Sequence, residues 1–244
     1  RRAANSMPRR PAGAAEKETA MEIHPIAHIQ SDFKEKFGIP RQSGLVEALR
    51  ASIIFTPSYR VPDAVRGLEE FSHIWLVWEF SQARREGWSP TVRPPRLGGN
   101  MRLGVFATRS PFRPNALGLS AVRLESVETD ASLGPVLHVS GADLLDGTPI
   151  YDIKPYIPYA DAIPSASGGF VDRVERKRLE VQCPQALLEL IPPEKREALL
   201  AVLAQDPRPS YQLDPGRVYG MAFADWQVRF TVEGERLVVG EIAK

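Results

Sequence analysis

The sequence predicts a mainly β protein, in which an all-β domain of short strands is followed by a small α+β domain. Three observations predict it. Up to about residue 160 the apolar residues fall in short runs or in period-two alternation, punctuated by proline and glycine, with no long helical repeat. Pro, Ser and Gly then cluster between Ile163 and Gly169, the composition of a domain boundary. Beyond it, Leu187, Leu188, Leu190 and Ile191, and then Leu199, Leu200, Val202 and Leu203, recur at helical spacing before a final hairpin pattern. A chain of 244 residues with 43% hydrophobic and 25% charged residues is long enough for one large globular domain or two ordinary ones.

Each element follows from local chemistry. Residues 1–20 are rich in Arg, Ala and Pro without periodicity and are expected to form a disordered leader, of native or vector origin. Ile23, Ile26 and Ile29 mark a first strand, with Pro25 at an edge-compatible place. Phe33 to Gly44 is a loop, punctuated by Gly38, Pro40 and Gly44. Ala51–Thr56 is a strand, Pro57–Pro62 a turn, and Asp63–Leu68 a helical turn capped by Asp63. Phe71–Phe80 is almost continuously apolar and is expected at the sheet centre, buried on both faces, with His73 a core histidine. Arg84–Asn100 is a long Pro- and Gly-rich loop of the kind that carries function. Val136–Val139 is a further strand and Asp146-Gly147 a tight turn. Val171–Val181 reads as strand or helix. Pro184–Leu190 and Pro193–Ala204 read as helices, and Met221–Val232 and Arg236–Ile242 as a hairpin.

Charge and cysteine content exclude several classes. Net charge is +1, so the whole chain is not a polycation. Between Arg84 and Arg123, however, eight arginines meet one acid, Glu86, and no lysine. This excess makes either a nucleic-acid face or a solvated basic face. The lone Cys183 permits no intramolecular disulfide and no cysteine-based metal site, His24, His28, His73 and His138 form no ligand motif, and a cytoplasmic setting without metal is expected. No apolar run approaches the roughly twenty residues that span a bilayer. No Gly-x-Gly-x-x-Gly, Walker loop, nucleophile elbow or kinase set occurs.

The chemistry gathers on Gly104–Ser120. Pro111 and Pro114 stiffen it, Asn115 and Gly118 tolerate left-handed backbone, and Arg109 and Arg113 stand on it as cationic forks; a strand pattern is expected at its start (Val105–Thr108) and again after Ser120. Two readings stay open for the turn: it holds an anionic group, or its arginines pair with neighbouring acids. Two also stay open for Asp146: it binds a hydroxyl or amine or acts as a base, or it stabilises its own turn. Ser81 and Gln82 lie where a central strand leaves the core, and Arg41 and Gln42 follow a backbone-fixing proline, both suitable for ligand contacts.

Gly104-Val-Phe-Ala-Thr-Arg-Ser-Pro-Phe-Arg-Pro-Asn115 resembles the signature of the TsaA-like family, which includes bacterial tRNA methyltransferases. The likeness extends through Lys34–Phe37 to Pro40-Arg41-Gln42, Asp63–Leu68, Phe71-Ser72-His73, Arg93–Asn100, Asp146–Pro149 with Asp152–Tyr156, and Gln205–Pro209. Ala116 departs from the proline expected there. The resemblance implies a single-sheeted β-barrel over residues 21–165 that binds S-adenosyl-L-methionine, a tRNA-contacting C-terminal domain over 166–244, and a homodimer. It implies methylation of N6 of N6-threonylcarbamoyladenosine, 3′ of the anticodon in tRNAs reading ACN codons. The donor would be held by Pro40, Arg41, Gln42, Ser81, Gln82, Arg109, Leu119, Asp143, Leu144, Leu145, Asp146, Gly147 and Thr148. Candidates for a catalytic group are Asp143, Asp146 and Asn115. Arg84, Arg85, Arg93, Arg96, Arg113 and Arg208 would face the tRNA anticodon stem-loop, with Trp88 or Tyr211 available to stack on a base. A non-catalytic donor- or nucleotide-binding module is the alternative of a different class.

Overall fold

The computed structural model describes residues 21–84, 87–94, 101–173, 178–209, 214 and 216–244. Six strands close into one antiparallel barrel: β1 (Ala27–Gln30), β2 (Arg50–Phe55), β3 (His73–Glu79), β6 (Leu117–Asp130), β7 (Gly134–Ser140) and β8 (Pro149–Pro155), in the order β1-β2-β7-β6-β3-β8. Pairing of Ala27 with Ile150 and His28 with Pro149 joins β8 back to β1 and removes the open edge. A short ribbon of β4 (Thr91–Val92) and β5 (Leu103–Gly104) stands apart from the barrel sheet. The expected single-sheeted barrel is therefore present.

Period-two alternation fills the barrel. Ile74, Leu76 and Trp78 point inward from β3 and meet Val122 and Leu124, Leu137 and Val139, Ile53 and Ile29. The alternate β3 residues, His73, Trp75 and Val77, are only half-buried. The strand is thus not covered on both faces, as the run of apolar residues suggested, because a barrel interior needs just one apolar face. His73 accordingly lies on the outside, its ring 6.2 Å from that of Tyr156. Gly118 lets Trp78 fill the barrel end, since a Cβ there would lie 2.3 Å from the indole.

The C-terminal unit is a four-stranded sheet of β10 (Tyr219–Phe223), β11 (Trp226–Glu233), β12 (Arg236–Ala243) and β9 (Glu180–Gln182), in that order. Among the described residues the α-helices are α1 (Pro158–Asp161), α2 (Gln185–Leu188) and α3 (Pro193–Ala204), the last with proline at its first position as expected. Ala198, Leu199, Val202 and Leu203 form the buried stripe of α3. The expected single strand over Met221–Val232 is two strands, broken by a turn in which Ala224 adopts φ 51°, a conformation that alanine does not advertise. Val171–Val181 contains a 3-10 turn at Gly169–Arg173 and β9; residues 174–177 lie outside the described set.

The two units are sewn together by residues 31–49, the connection from β1 to β2. Phe33, Val46 and Leu49 from this strap are buried in the C-terminal core with Met221, Phe223 and Leu199. Phe33 meets Phe223 edge-on with ring centroids 6.1 Å apart. The strap also covers the β10 edge: Ala222 N–H donates to Glu35 Oε1 at 2.9 Å and Ala224 N–H to the Asp32 carbonyl at 2.7 Å. Lys195 of α3 completes the seam with an ion pair to Asp32 at 2.6 Å, both side chains largely buried.

Candidate functional site

Three segments meet at one rim of the barrel. The strap supplies Pro40, buried, and then Arg41, Gln42 and Ser43. The segment after β5 is a 3-10 turn, Val105–Ala107, in place of the expected strand; buried Val105 anchors it and Arg109 follows it, exposed. The third segment is the connection from β7 to β8, Gly141 to Thr148.

Their meeting point is polar. Arg109 donates through Nη1 to Gln42 Oε1, which ties the strap to the proline-stiffened turn. Asp143 lies inward of this pair. Its Oδ1 accepts a 2.6 Å hydrogen bond from Ser120 Oγ of β6, and Ser120 Oγ accepts one at 3.0 Å from the buried Trp78 Nε1–H. Burial pushes the Asp143 carboxyl above its ordinary value, against the opposing pull of the Ser120 hydroxyl, the backbone N–H groups of Asp143 and Ser43, and the Arg109 charge. A cationic fork and a desolvated carboxylate thus stand close together, a combination suited to a small ligand carrying both charges.

Asp146, three residues on, is placed differently. Its Oδ1 accepts the Ser31 N–H at 2.9 Å and its Oδ2 pairs with Lys34 Nζ at 2.7 Å. Gly147, with φ 72°, makes the turn that Asp146-Gly147 predicted. Asp146 lines a separate groove of about 670 Å³ along the outer face of the barrel, with Gln30, Lys34, Arg50, His138 and Lys195. Neither Asp143 nor Arg109 lines that groove. Leu144 and Leu145 between the two acids enter different interiors, Leu144 the barrel core and Leu145 the edge of the C-terminal core. Thr148 is buried.

Ser81 and Gln82 form an exposed 3-10 turn, Ser81–Ala83, at the end of β3. Lys36 of the strap donates to the Gln82 carbonyl at 2.9 Å. The turn's base is fixed by buried Glu79, whose carboxylate takes both arms of the Arg84 guanidinium and the Tyr151 hydroxyl at 2.6 Å. Arg84 holds the Glu79 carboxyl below its ordinary value despite burial, and burial raises the Tyr151 phenol. Tyr151 reaches Glu79 because the β3–β8 register slips between Val77 and Trp78, leaving Tyr151 as the bulged residue.

Among the remaining candidates, Leu119 is 57% exposed and alternates with inward Ser120, so its side chain points away from Asp143. Arg113 donates to the Thr108 carbonyl at 2.9 Å and the Asn115 carbonyl accepts the Leu117 N–H at 2.7 Å, both contacts internal to the turn. Arg93 is exposed. Arg208 is 8% exposed and forks onto Asp206 at 2.8 and 2.9 Å, while its carbonyl accepts from Arg41 Nη2 at 3.3 Å. Arg85, Arg96 and Tyr211 lie outside the described residues. The expected Asp63 cap is instead paired with Arg66, and Val61 stands at the cap position.

The sequence reading passed over Ser43, Ser120, Trp78, Lys36, Glu79 and Tyr151. Ser120 had a signal, a hydroxyl in register with inward Val122 and Leu124. Glu79 had one too, a carboxylate closing an apolar strand. Tyr151 had none, because a register slip is not written in one strand. Among the described residues no cluster of three His, Cys, Asp or Glu side chains could hold a metal, and no helix is long and apolar enough to cross a membrane.

The strands define a closed β-barrel with a companion α+β unit, not a dinucleotide-type α/β sandwich. Residues 28–162 match the tRNA-methyltransferase O N-terminal domain and residues 176–244 the TrmO C-terminal domain. The chain belongs to the TrmO family. It is 43% identical over 222 residues to the tRNA (adenine(37)-N6)-methyltransferase of Escherichia coli, covering 88% of this chain and 94% of that protein. It is 52% identical over 164 residues to the protein of the same name from Eikenella corrodens, covering 67% and 92%. The crystal structure of TrmO from Pseudomonas aeruginosa superposes with a TM-score of 0.75 at 37% identity, covering 94% of this chain and 99% of that one.

Proposed function

We propose that the protein is an S-adenosylmethionine-dependent tRNA methyltransferase acting on N6 of N6-threonylcarbamoyladenosine at position 37, 3′ of the anticodon in tRNAs reading ACN codons. The observation that carries this reading is the convergence of Arg109, Gln42 and Asp143 at one barrel rim, in a chain of the TrmO family. The residues fit the donor. Arg109 is a fork for its carboxylate and Asp143 an acceptor for its ammonium or ribose hydroxyls. Pro40, Arg41, Ser81 and Gln82 complete the enclosure, while Asp146 holds the connection from outside it. Bound donor supplies a methyl group activated on sulfonium; the chain's contribution is to hold donor and adenine in line and exclude water.

Exposed Arg93, with Arg84 and Arg113 beside the rim, is the proposed path of tRNA phosphates, and Trp88 is the proposed stacking residue. Trp88 is 51% exposed with its ring 6.0 Å from that of Phe106, itself 72% exposed. Buried Arg208 acts through the Asp206 turn and Arg41. Assembly as a homodimer is proposed on the exposed apolar residues Phe106 and Leu119 near the rim, and the tRNA substrate makes the cytoplasm the proposed location.

The test is incubation of unmethylated tRNA with S-adenosylmethionine and the protein, followed by nucleoside mass spectrometry. The expected result is a 14-Da gain confined to threonylcarbamoyladenosine, about the mass of one methylene. Donor binding by calorimetry without that gain favours the non-catalytic module instead.

A further inference from the structure

We propose that Ser120, backed by Trp78, is a positioning residue that fixes the Asp143 carboxylate as an acceptor for the methyl donor. The inference rests on the reading that Asp143 contacts the donor, and adds how this carboxylate is kept fit for it.

The hydrogen bonds at this serine set a proton direction. An indole N–H can only donate. Trp78 Nε1–H donates to Ser120 Oγ at 3.0 Å, which occupies a lone pair of the hydroxyl and leaves its single proton for the other partner. That partner is Asp143 Oδ1 at 2.6 Å, within the short range of hydrogen bonds to a charged acceptor. The relay therefore has one polarity, from the barrel interior to the rim. The Trp78 bond occupies one of the hydroxyl's two lone pairs and favours donation of its proton to the ionised Asp143, and Trp78 is itself held in place. Its indole packs on Gly118, where a Cβ would lie 2.3 Å away, and its ring centroid is 4.3 Å from that of Phe80. Ser120 and Trp78 are both buried.

The relay counters a cost. Burial favours the protonated Asp143, which has one acceptor fewer and no charge for a cationic ligand. The groups opposing it come from four segments: Ser120 on β6, the backbone N–H of Asp143 in its own connection, the Ser43 N–H on the strap, and Arg109 after the 3-10 turn. Arg109 is shared with Gln42, and the donor's own carboxylate competes for it. Ser120 is the side chain whose hydrogen bond the donor does not contest.

The experiment measures S-adenosylmethionine affinity by calorimetry between pH 5 and 8, in roughly half-unit steps, for the full chain and for Ser120→Ala, Ser120→Thr and Asp143→Asn. Carbon NMR of the Asp143 carboxyl in the donor-free protein accompanies it, and thermal melting checks each fold. Losing the relay raises the Asp143 pKa, so the acid limb of Ser120→Ala binding should move up by about one pH unit. Affinity should recover at the alkaline end, Ser120→Thr should keep the original profile, and the carboxyl titration should shift in parallel. A folded Ser120→Ala whose profile superimposes on the parent, or drops equally at every pH with an unmoved carboxyl titration, overturns the proposal while leaving the donor reading intact. Asp143→Asn binding as tightly as the parent overturns both.

Discussion

Asp143 and Asp146 lie three residues apart in one connection and have opposite surroundings. Asp143 is desolvated, receives its hydrogen bond from a buried serine, and faces a cation that is not its dedicated partner. Asp146 is satisfied twice, by the Ser31 N–H and by Lys34, at the mouth of a solvated groove. The pair teaches that a carboxylate's environment assigns its work: the one held against its preference is available to a ligand, whereas the satisfied one holds the chain in place.

The largest expected effect separates the two. Asp143→Asn should weaken donor binding roughly ten- to a hundredfold, the worth of a charge-assisted contact, and should also raise the melting temperature at neutral pH. The sign follows from linkage. A carboxyl raised on folding adds stability below its unfolded value and loses it as pH rises through the folded value, so at neutral pH the ionised form is a cost that asparagine removes. Asp146→Ala should do the reverse, costing about 1–2 kcal/mol through the lost backbone acceptor and the half-exposed Lys34 pair, with donor affinity changed less than about threefold. If calorimetry and melting rank the two variants alike, the comparison fails.

Arg109→Lys comes next. It keeps the charge and loses the fork that spans Gln42 and the ligand, so donor affinity should fall about tenfold. An unchanged affinity would remove Arg109 from the donor contacts.

Glu79→Gln should change donor affinity least, and its cost to stability should be full at neutral pH and close in acid. Arg84 depresses the Glu79 carboxyl, so its contribution is present above the ordinary value of 4.5 and is lost as pH falls through the folded value. The parent's melting temperature should fall on that limb more steeply than the variant's. Parallel limbs would mean that the Ser81–Ala83 turn is held by other contacts, Lys36 foremost.

Much of this was legible in the residues. The apolar run Phe71–Phe80 marked a sheet strand though not its one-sided burial, and prolines 111 and 114 with Arg109 marked the rim turn. The family signature linked that turn to Pro40-Arg41-Gln42, which the Arg109–Gln42 contact brings together. What was not legible depends on contacts between distant segments. Nothing in Asp143-Leu-Leu-Asp146 says that adjacent leucines enter two different cores. Arg208 reads as a free cation until Asp206 takes a left-handed backbone, φ 52°, and folds its carboxylate onto the guanidinium. Phe33 reads as a loop residue, and Val46 and Leu49 carry no signal, because the core they enter is about 170 positions downstream.

The strap belongs to the N-terminal segment by sequence and to the C-terminal unit by burial, and the same residues carry the rim. The C-terminal unit cannot melt without exposing Phe33, so the two halves should unfold in a single calorimetric transition. An RNA stem resting on the C-terminal unit would bias the placement of Arg41 and Gln42, and by reciprocity the donor would tune the grip on RNA. In the vocabulary of machines, residues 31–49 are a crankshaft: a passive connection in either half alone, and the transmission in the whole.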